Sequence, residues 1–134
     1  MKIYLAARYS RFPEMQTYAR DLEALGHHIT SRWILGNHDI RSHGESEAAS
    51  WMPLWAQEDW NDLRNAECCI SFTEAPGDIP GRSRGGRHVE YGAALALGKQ
   101  LIVVGYRENV FHWLPEATFV ETWSECLKAL KRSL

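Results

Sequence analysis

Glu90 is the residue whose position most directly indicates chemistry. It lies in the stretch GGRHVEYGAALALGKQLIVV, between a glycine-rich loop and a run of small residues. The unpaired amides and the macrodipole at a helix start stabilise a carboxylate, so we expect Glu90 to lie in a first helical turn and to be ionised at neutral pH. An anionic carboxylate there suits attack at a sugar C1′, where positive charge develops as a glycosidic bond breaks.

Such a reaction needs a second group that protonates the departing base. Asp59 and Asp62 are the candidates, within WAQEDWNDLRNAE. Residues three apart share roughly one face of a helix, so both carboxyls are expected on the same side of it. Gly85 and Gly86 add backbone that a ligand can approach closely.

The elements that position these residues follow from hydrophobic periodicity and from glycine and proline signals. A helix is announced by Ser10 and Pro13 and ended by Gly26. Apolar runs predict strands, and stripes with a period near 3.6 residues predict helices. The predicted strands are Lys2 to Ala7, His27 to Ile34, Glu67 to Phe72, Gln100 to Gly105 and Thr118 to Glu121; the later helices are Ala48 to Ala66, Val89 to Leu97 and Trp123 to Leu134.

The alternation of strands and helices predicts an α/β fold in one domain over residues 1–134. We expect a Rossmann-like or flavodoxin-like parallel sheet of about five strands with helices on both faces. In strand order 2-1-3-4-5, ligands bind beyond the carboxyl ends of strands one and three. That edge receives residues 7–11, including the candidate ligand-binding residue Arg8, and residues 73–90.

Composition limits the partners. Fifteen Lys and Arg residues stand against seventeen Asp and Glu residues, so no basic excess indicates a nucleic acid polymer or an anionic membrane. Three cysteines without metal-ligand spacing predict buried reduced thiols, no metal site and a cytoplasmic protein. No apolar run approaches the ~20 residues needed to span a bilayer, and no cofactor is expected.

Three stretches in order carry a resemblance: IYLAARYS, DWNDLRNAECCISFTE and GGRHVEYGAALALGKQLIVV. They resemble the nucleoside 2-deoxyribosyltransferase family, including its 2′-deoxynucleoside 5′-phosphate N-hydrolase and cytidylate N-hydrolase branches. The resemblance covers nearly the whole chain. It implies that Glu90 is the nucleophile, that Tyr4 orients Glu90, and that Asp59 protonates or hydrogen-bonds the base. It also implies a homodimer or larger assembly with shared active sites.

The residues that precede Glu90 bear on recognition of the 5′ end of the substrate. Many transferases of the family carry an aspartate six residues before the nucleophile, where this chain has Arg84, and phosphate-specific hydrolases tend to have a serine there. Because an arginine fork binds phosphate bidentately, we expect an anion site from Ser83, Arg84, Arg87 and the amides of Gly85 and Gly86. The resemblance adds His112, placed to reach the 5′-phosphate from a neighbouring subunit. Trp33, His38 and Trp55 are candidates for stacking on the base.

These residues favour cleavage of the N-glycosidic bond of a (deoxy)nucleoside 5′-monophosphate, with water as acceptor. The alternative is a nucleoside 2-deoxyribosyltransferase, in which a second base intercepts the glycosyl-enzyme. A second alternative is a nucleotide-binding sensor without turnover, because the fold hosts many binding modules. A dinucleotide oxidoreductase is disfavoured, since ARYSRFP after the first strand contains no GxGxxG motif.

Overall fold

The computed structural model describes residues 1–38, 45–77 and 85–132, without the side chains of 45–48 and 132. Within these ranges, three short 3-10 turns, at Tyr9–Arg11, Arg32–Leu35 and Val110–Trp113, accompany nine regular elements. In chain order these are β1 Lys2–Ala6, α1 Phe12–Ala24, β2 His28–Ile29, α2 Glu45–Asn65, β3 Cys68–Phe72, α3 Gly86–Ala96, β4 Gln100–Val104, β5 Ala117–Val120 and α4 Trp123–Arg132.

All five strands form one parallel sheet in the order β2-β1-β3-β4-β5. This arrangement confirms the predicted fold class and strand order. Strand β3 is buried along its whole length, and β1 and β4 are buried except at their first residue. Continuous burial is expected of a parallel sheet that is covered on both faces, and the apolar runs of the sequence reflect it.

The helices cover opposite faces of the sheet. On one face, the Tyr18 ring of α1 stacks on Phe72 of β3 and on Trp123 of α4, with ring centroids 5.3 and 4.3 Å apart. Helices α2 and α3 contact each other and pack on β1, and α3 also packs on β3 and β4. Side chains alternate across a strand, so Cys69 faces the side opposite to Phe72. Tyr4 pairs in register with Cys69 and faces that same side.

Strand β2 is much shorter than predicted, and the prediction of a strand from His27 to Ile34 is wrong beyond Ile29. Beyond Ile29, polar side chains accept hydrogen bonds from backbone N–H groups. The Ser31 hydroxyl accepts the N–H of Leu5 at 3.1 Å, and Asp62 accepts the N–H of Arg32 at 3.0 Å. These tertiary hydrogen bonds replace the ladder that would have continued the strand, and the chain turns at Arg32–Leu35.

Other elements begin or end a few residues away from their predicted boundaries. Helices α2 and α3 each begin three residues earlier than predicted, at Glu45 and Gly86. Between β4 and β5 the alternation breaks, because among the described residues the crossover at 105–116 contains a 3-10 turn and no α-helix. Parallel strands need a connection of about a dozen residues, which this segment provides. None of the helices in the described ranges has the length and apolarity to cross a membrane.

Candidate active site

Tyr4 and Glu90 meet beneath α3. Tyr4 lies on β1 and is fully buried, and Glu90 is the fifth residue of α3. The Glu90 side chain runs back toward the helix start, where a Cβ placed on Gly86 would lie 4.0 Å from Oε1. Tyr4 Oη and Glu90 Oε2 are both buried, and neither has a hydrogen bond of regular geometry to a described residue. The two groups nevertheless interact, because the Tyr4 hydroxyl acts to lower the pKa of Glu90.

The surroundings of Glu90 favour its protonated form in the unliganded protein. Burial raises its pKa to about 8, the charge of Asp59 adds to the rise, and the Tyr4 hydroxyl opposes it. The prediction of an ionised glutamate in the first turn is therefore wrong. Helix α3 begins at Gly86, so its first turn contains no acidic residue. For Glu90 the desolvation of the charged form outweighs the helix macrodipole.

Asp59 is the second acid of the site. It lies on α2, half-buried, and burial raises its pKa to about 7, with Glu58 and Asp62 adding to the rise and Arg32 opposing it. The negative charge of Asp59 also raises the pKa of both Tyr4 and Glu90. The structure therefore brings together two carboxyls and one phenol from three different elements. A carboxyl with a pKa near neutrality can carry a proton to a leaving group.

Asp62, the other sequence candidate, has a structural role. Its carboxylate is 6% exposed. It accepts the N–H of Arg32 at 3.0 Å and the Arg32 Nη2 donor at 2.8 Å. These bonds tie α2 to the turn after β2. Of the two aspartates, Asp59 is thus the one whose charge acts on Glu90.

His38 is held beside Asp59 in a column of aromatic rings. Its ring stacks on Trp55 at 5.0 Å and on Tyr9 at 6.4 Å. Nδ1 lies 3.8 Å from Asp59 Oδ1, and Nε2 lies 3.4 Å from Glu58 Oε1. Burial lowers the pKa of His38, although Glu58 opposes the shift. Trp33, predicted to stack on the base, lies behind this column with its indole N–H donated to Leu5 O at 2.8 Å.

The same cluster contains three side chains of the types that bind metal ions. One ligand atom each from His38, Glu58 and Asp59 lies within 4.8 Å of the others. Their mutual polar contacts account for the cluster without an ion. The expectation of no metal centre stays a prediction.

The structure describes only some of the residues that were predicted to bind phosphate. Ser83 and Arg84 lie outside the described residues. Gly85 caps α3 with a φ of +80°, in the left-handed region that favours glycine, and Gly86 begins the helix. Arg87 is only 6% exposed. Its Nη1 and Nη2 donate to the two oxygens of Glu108 at 2.6 and 3.0 Å.

His112 is buried within its own chain, at 1% exposure. Its Nδ1 accepts the N–H of Glu108 at 3.0 Å, and its ring meets the Tyr91 ring edge-on at 5.0 Å. Burial lowers the pKa of His112, and the nearby His88 adds to the shift. Nε2 is buried without a hydrogen-bond partner among the described residues. Its predicted reach into a neighbouring subunit stays a prediction.

Arg8 lies at the carboxyl end of β1, where its Nε is 3.6 Å from Glu74 Oε1. Glu74, which follows β3, also lies 3.5 Å from Arg11 Nη1. Sequence reasoning placed residues 73–90, and with them Glu74, at this edge, but it missed Glu108. The available signal was position, since Glu108 is an acidic residue that follows the buried strand β4 at the predicted ligand edge.

The geometry defines an α/β protein with a half-buried acid pair at the carboxyl edge of its central strands. No protein-family model matches the chain, and no curated protein matches it. A 2-deoxyribosyltransferase of the psychrotolerant bacterium Bacillus psychrosaccharolyticus is similar in structure, with a TM-score of 0.67, 20% sequence identity and coverage of 95% of this chain and 90% of that one. The Clostridium botulinum CMP N-glycosidase BcmB has a TM-score of 0.57 and 18% identity over 98% and 99% of the two chains. At these identities the similarity shows a shared fold.

Proposed function

We propose that the protein belongs to the nucleoside 2-deoxyribosyltransferase family and cleaves the N-glycosidic bond of a (deoxy)nucleoside 5′-monophosphate, with water as acceptor. The observation that carries the proposal is the meeting of Tyr4, Asp59 and Glu90 on the α2/α3 face of the sheet. A binding module has no need for two carboxyls whose pKa values are raised to about 7 and about 8 in one buried site. The two structural neighbours, a deoxyribosyltransferase and an N-glycosidase, support the same chemistry.

The reaction proceeds in two steps. Glu90, as the carboxylate, attacks C1′ while the bond from C1′ to the base nitrogen breaks and its electron pair leaves with the base. Asp59 donates its proton to that base, so a neutral base departs and a glycosyl ester forms on Glu90. Water then attacks C1′, its proton returns to Asp59, and the carboxylate of Glu90 is released.

The reactive state of the acid pair therefore holds one proton, on Asp59. In the empty site burial favours the neutral form of Glu90. Positive charge developing at C1′ reverses this preference, because it stabilises the Glu90 anion in the transition state. The Tyr4 hydroxyl supports the same anion, since its interaction with Glu90 lowers the pKa of that carboxyl. Tyr4 is thus a positioning residue for the nucleophile.

Phosphate recognition is assigned to Ser83, Arg84 and the backbone at Gly85 and Gly86. Support comes from the start of α3, where Gly85 adopts φ +80° and Gly86 carries no side chain beside Glu90. A remote phosphate can hold C1′ against Glu90, so its binding energy is expressed in turnover as well as affinity. Arg84→Ala should remove any preference for monophosphates over nucleosides, about ten- to a hundredfold, and leave nucleosides scarcely affected.

One assay tests the proposed function. Purified protein is incubated with ribo- and deoxynucleosides and their 5′-monophosphates, with and without a free acceptor base, and the products are separated by chromatography. Release of free base and sugar 5-phosphate from monophosphates supports the proposal, with Glu90→Gln as the inactive control. Failure to release base from any substrate would contradict the proposal and favour the alternative of a nucleotide-binding sensor without turnover.

The second candidate function is base exchange. The deoxyribosyltransferase neighbour, with a TM-score of 0.67 over 95% of this chain, favours it. Both activities share the first step, and access of water to C1′ decides between them. A faster transfer of deoxyribose to a free base than to water, together with a preference for nucleosides over monophosphates, would establish the transferase. Arg84 would then have no role in phosphate binding.

A further inference from the structure

Glu108 holds an unusual position at the ligand edge of the sheet. It follows β4, and its carboxylate joins three elements. Oε1 accepts the N–H of Glu74 at 2.8 Å, just past the end of β3, and both oxygens receive the terminal nitrogens of Arg87 on α3. Its own N–H is donated to His112 Nδ1 at 3.0 Å. The carboxylate is therefore held rigidly beside the start of α3.

The acidic groups Asp59, Glu90 and Glu108 follow one another across the sheet, and this order places Glu108 nearest to the 5′ end of a bound substrate. Asp59 lies on α2, which packs on β1; Glu90 lies on α3, which packs on β1, β3 and β4; and Glu108 follows β4. A sugar held over Glu90 with its base toward Asp59 points its 5′ end toward the start of α3 and the loop after β4. This step rests on the proposed function.

Arg87 is the cation closest in sequence to Gly85 and Gly86 that the structure describes. Its two terminal nitrogens are bound to Glu108, and Nη1 also lies 3.0 Å from His88 Nε2. A guanidinium engaged in a bidentate carboxylate pair has lost the fork that would bind phosphate. The carboxylate, whose side chain is 21% exposed, also contributes a negative charge that repels a second anion placed close to it.

We propose that Glu108 is a specificity-determining residue that biases the site against a 5′-phosphate. It does so in two ways: it occupies the Arg87 fork, and it places its own charge beside the path of the 5′ substituent. Whatever preference the wild-type protein has for monophosphates must then come from other groups, and it is smaller than it would be without Glu108. The affected ligand class is the 5′-phosphorylated nucleoside, compared with the same nucleoside that ends in a hydroxyl.

The test compares two ligands that differ only in the phosphate. The measured quantity is kcat/KM for 2′-deoxycytidine 5′-monophosphate divided by kcat/KM for 2′-deoxycytidine, and equally for the adenine pair. Glu108→Gln should raise this ratio about tenfold or more, because one charge-assisted interaction with Arg87 becomes available and one repulsion is removed. Glu23→Gln, which removes an exposed charge on α1, is the matched control and should leave the ratio unchanged.

The double variant Glu108→Gln/Arg87→Gln identifies the route of the effect. If Arg87 is the released phosphate ligand, most of the gain is lost in the double variant. An unchanged ratio in Glu108→Gln overturns the proposal, and a full gain in the double variant overturns the role given to Arg87. Glu108→Ala, which leaves room for water to solvate Arg87, replaces Glu108→Gln if thermal unfolding shows that the amide variant does not fold.

A binding measurement separates this inference from the proposed function. In a Glu90→Gln background, calorimetry gives the Kd of each monophosphate and each nucleoside without turnover. If the wild-type protein cleaves no substrate but Glu108→Gln still strengthens monophosphate binding relative to nucleoside binding, the proposed function fails and the inference stands. If substrates are cleaved and neither ratio changes, the inference alone fails.

Discussion

The negative charge of Asp59 on α2 raises the pKa of Glu90 on α3, although the two residues are thirty-one positions apart in the chain. Each carboxyl is buried enough to resist ionisation, and each has one oxygen without a regular hydrogen-bond partner among the described residues. Two acids in such a site do not titrate independently, and their apparent pKa values belong to the pair.

Glu90→Gln should lower kcat by about a thousandfold or more while ligand binding is retained, because the amide has the same shape but cannot attack C1′. Turnover is measured by base release, and binding by calorimetry. A 2′-fluoro substrate analogue should leave a covalent sugar adduct on Glu90, detectable by mass spectrometry. Rates close to wild type in the amide variant would remove Glu90 from the role of nucleophile.

Asp59→Asn should slow substrates with poor leaving groups most, since a general acid matters less when the departing base is already stabilised. The readout is kcat/KM across bases of graded leaving-group pKa. Asp62→Asn is the matched control: three residues away on α2, it weakens the bonds to Arg32 and should lower Tm. It also removes a charge that raises the pKa of Asp59, but it leaves the acid in place, so the selective loss on poor leaving groups should not appear. Equal losses on good and poor leaving groups would assign Asp59 to binding.

The pH dependence of kcat/KM should be bell-shaped, with a maximum near pH 7 to 8, because the pKa of Asp59 is about 7, that of Glu90 is about 8, and the reactive pair holds one proton. Tyr4→Phe removes a group that lowers the pKa of Glu90. The basic limb should therefore move to higher pH and the maximal rate should fall. A basic limb that stays in place in Tyr4→Phe contradicts the positioning role.

Folding stability should fall as the pH rises from about 5 to 8. The pKa of Glu90 is raised to about 8 in the folded protein, above the ~4.3 of an unfolded glutamate. The folded state thus binds the proton more tightly, and its stabilisation is lost as the pH rises toward the folded pKa, by at most about 1.4 kcal/mol per pH unit for one group. Tm measured against pH should be flatter in Glu90→Gln than in wild type; identical slopes would contradict the raised pKa.

We expect a homodimer or larger assembly formed through the 3-10 turn at Val110–Trp113. Phe111 on this turn is 58% exposed, and Val110 and Trp113 are more so. Phe111→Ser should shift the assembly toward monomer in light scattering. Leu54→Ser, at an equally exposed apolar position on α2, is the control and should not. A fully active wild-type species of 15.4 kDa would exclude the assembly.

Local patterns in the sequence determined most of the fold. Strand β3 is predicted by its largely apolar run CCISF, and α1 by the stripe through Met15 and Leu22 and by the stop at Gly26, which adopts φ +92°. Such signals are local, because hydrophobic period and glycine conformation depend on neighbours within one or two turns. The alternation of elements predicted a parallel sheet, and for the order 2-1-3-4-5, one of the common orders of such sheets, a rule of topology placed the ligand edge between β1 and β3.

Only the tertiary structure decided the protonation and pairing of the charged groups. The sequence alone predicts an ionised Glu90 at a helix start and an Arg87 that is free to bind phosphate. In the folded chain, burial raises the pKa of Glu90, and Glu108 binds both terminal nitrogens of Arg87. It likewise ends β2 at Ile29, where the Ser31 hydroxyl accepts a backbone N–H of β1 and Asp62 of α2 accepts the backbone N–H of Arg32. Desolvation and long-range ion pairing depend on which distant residues surround a group, and no local pattern contains that information.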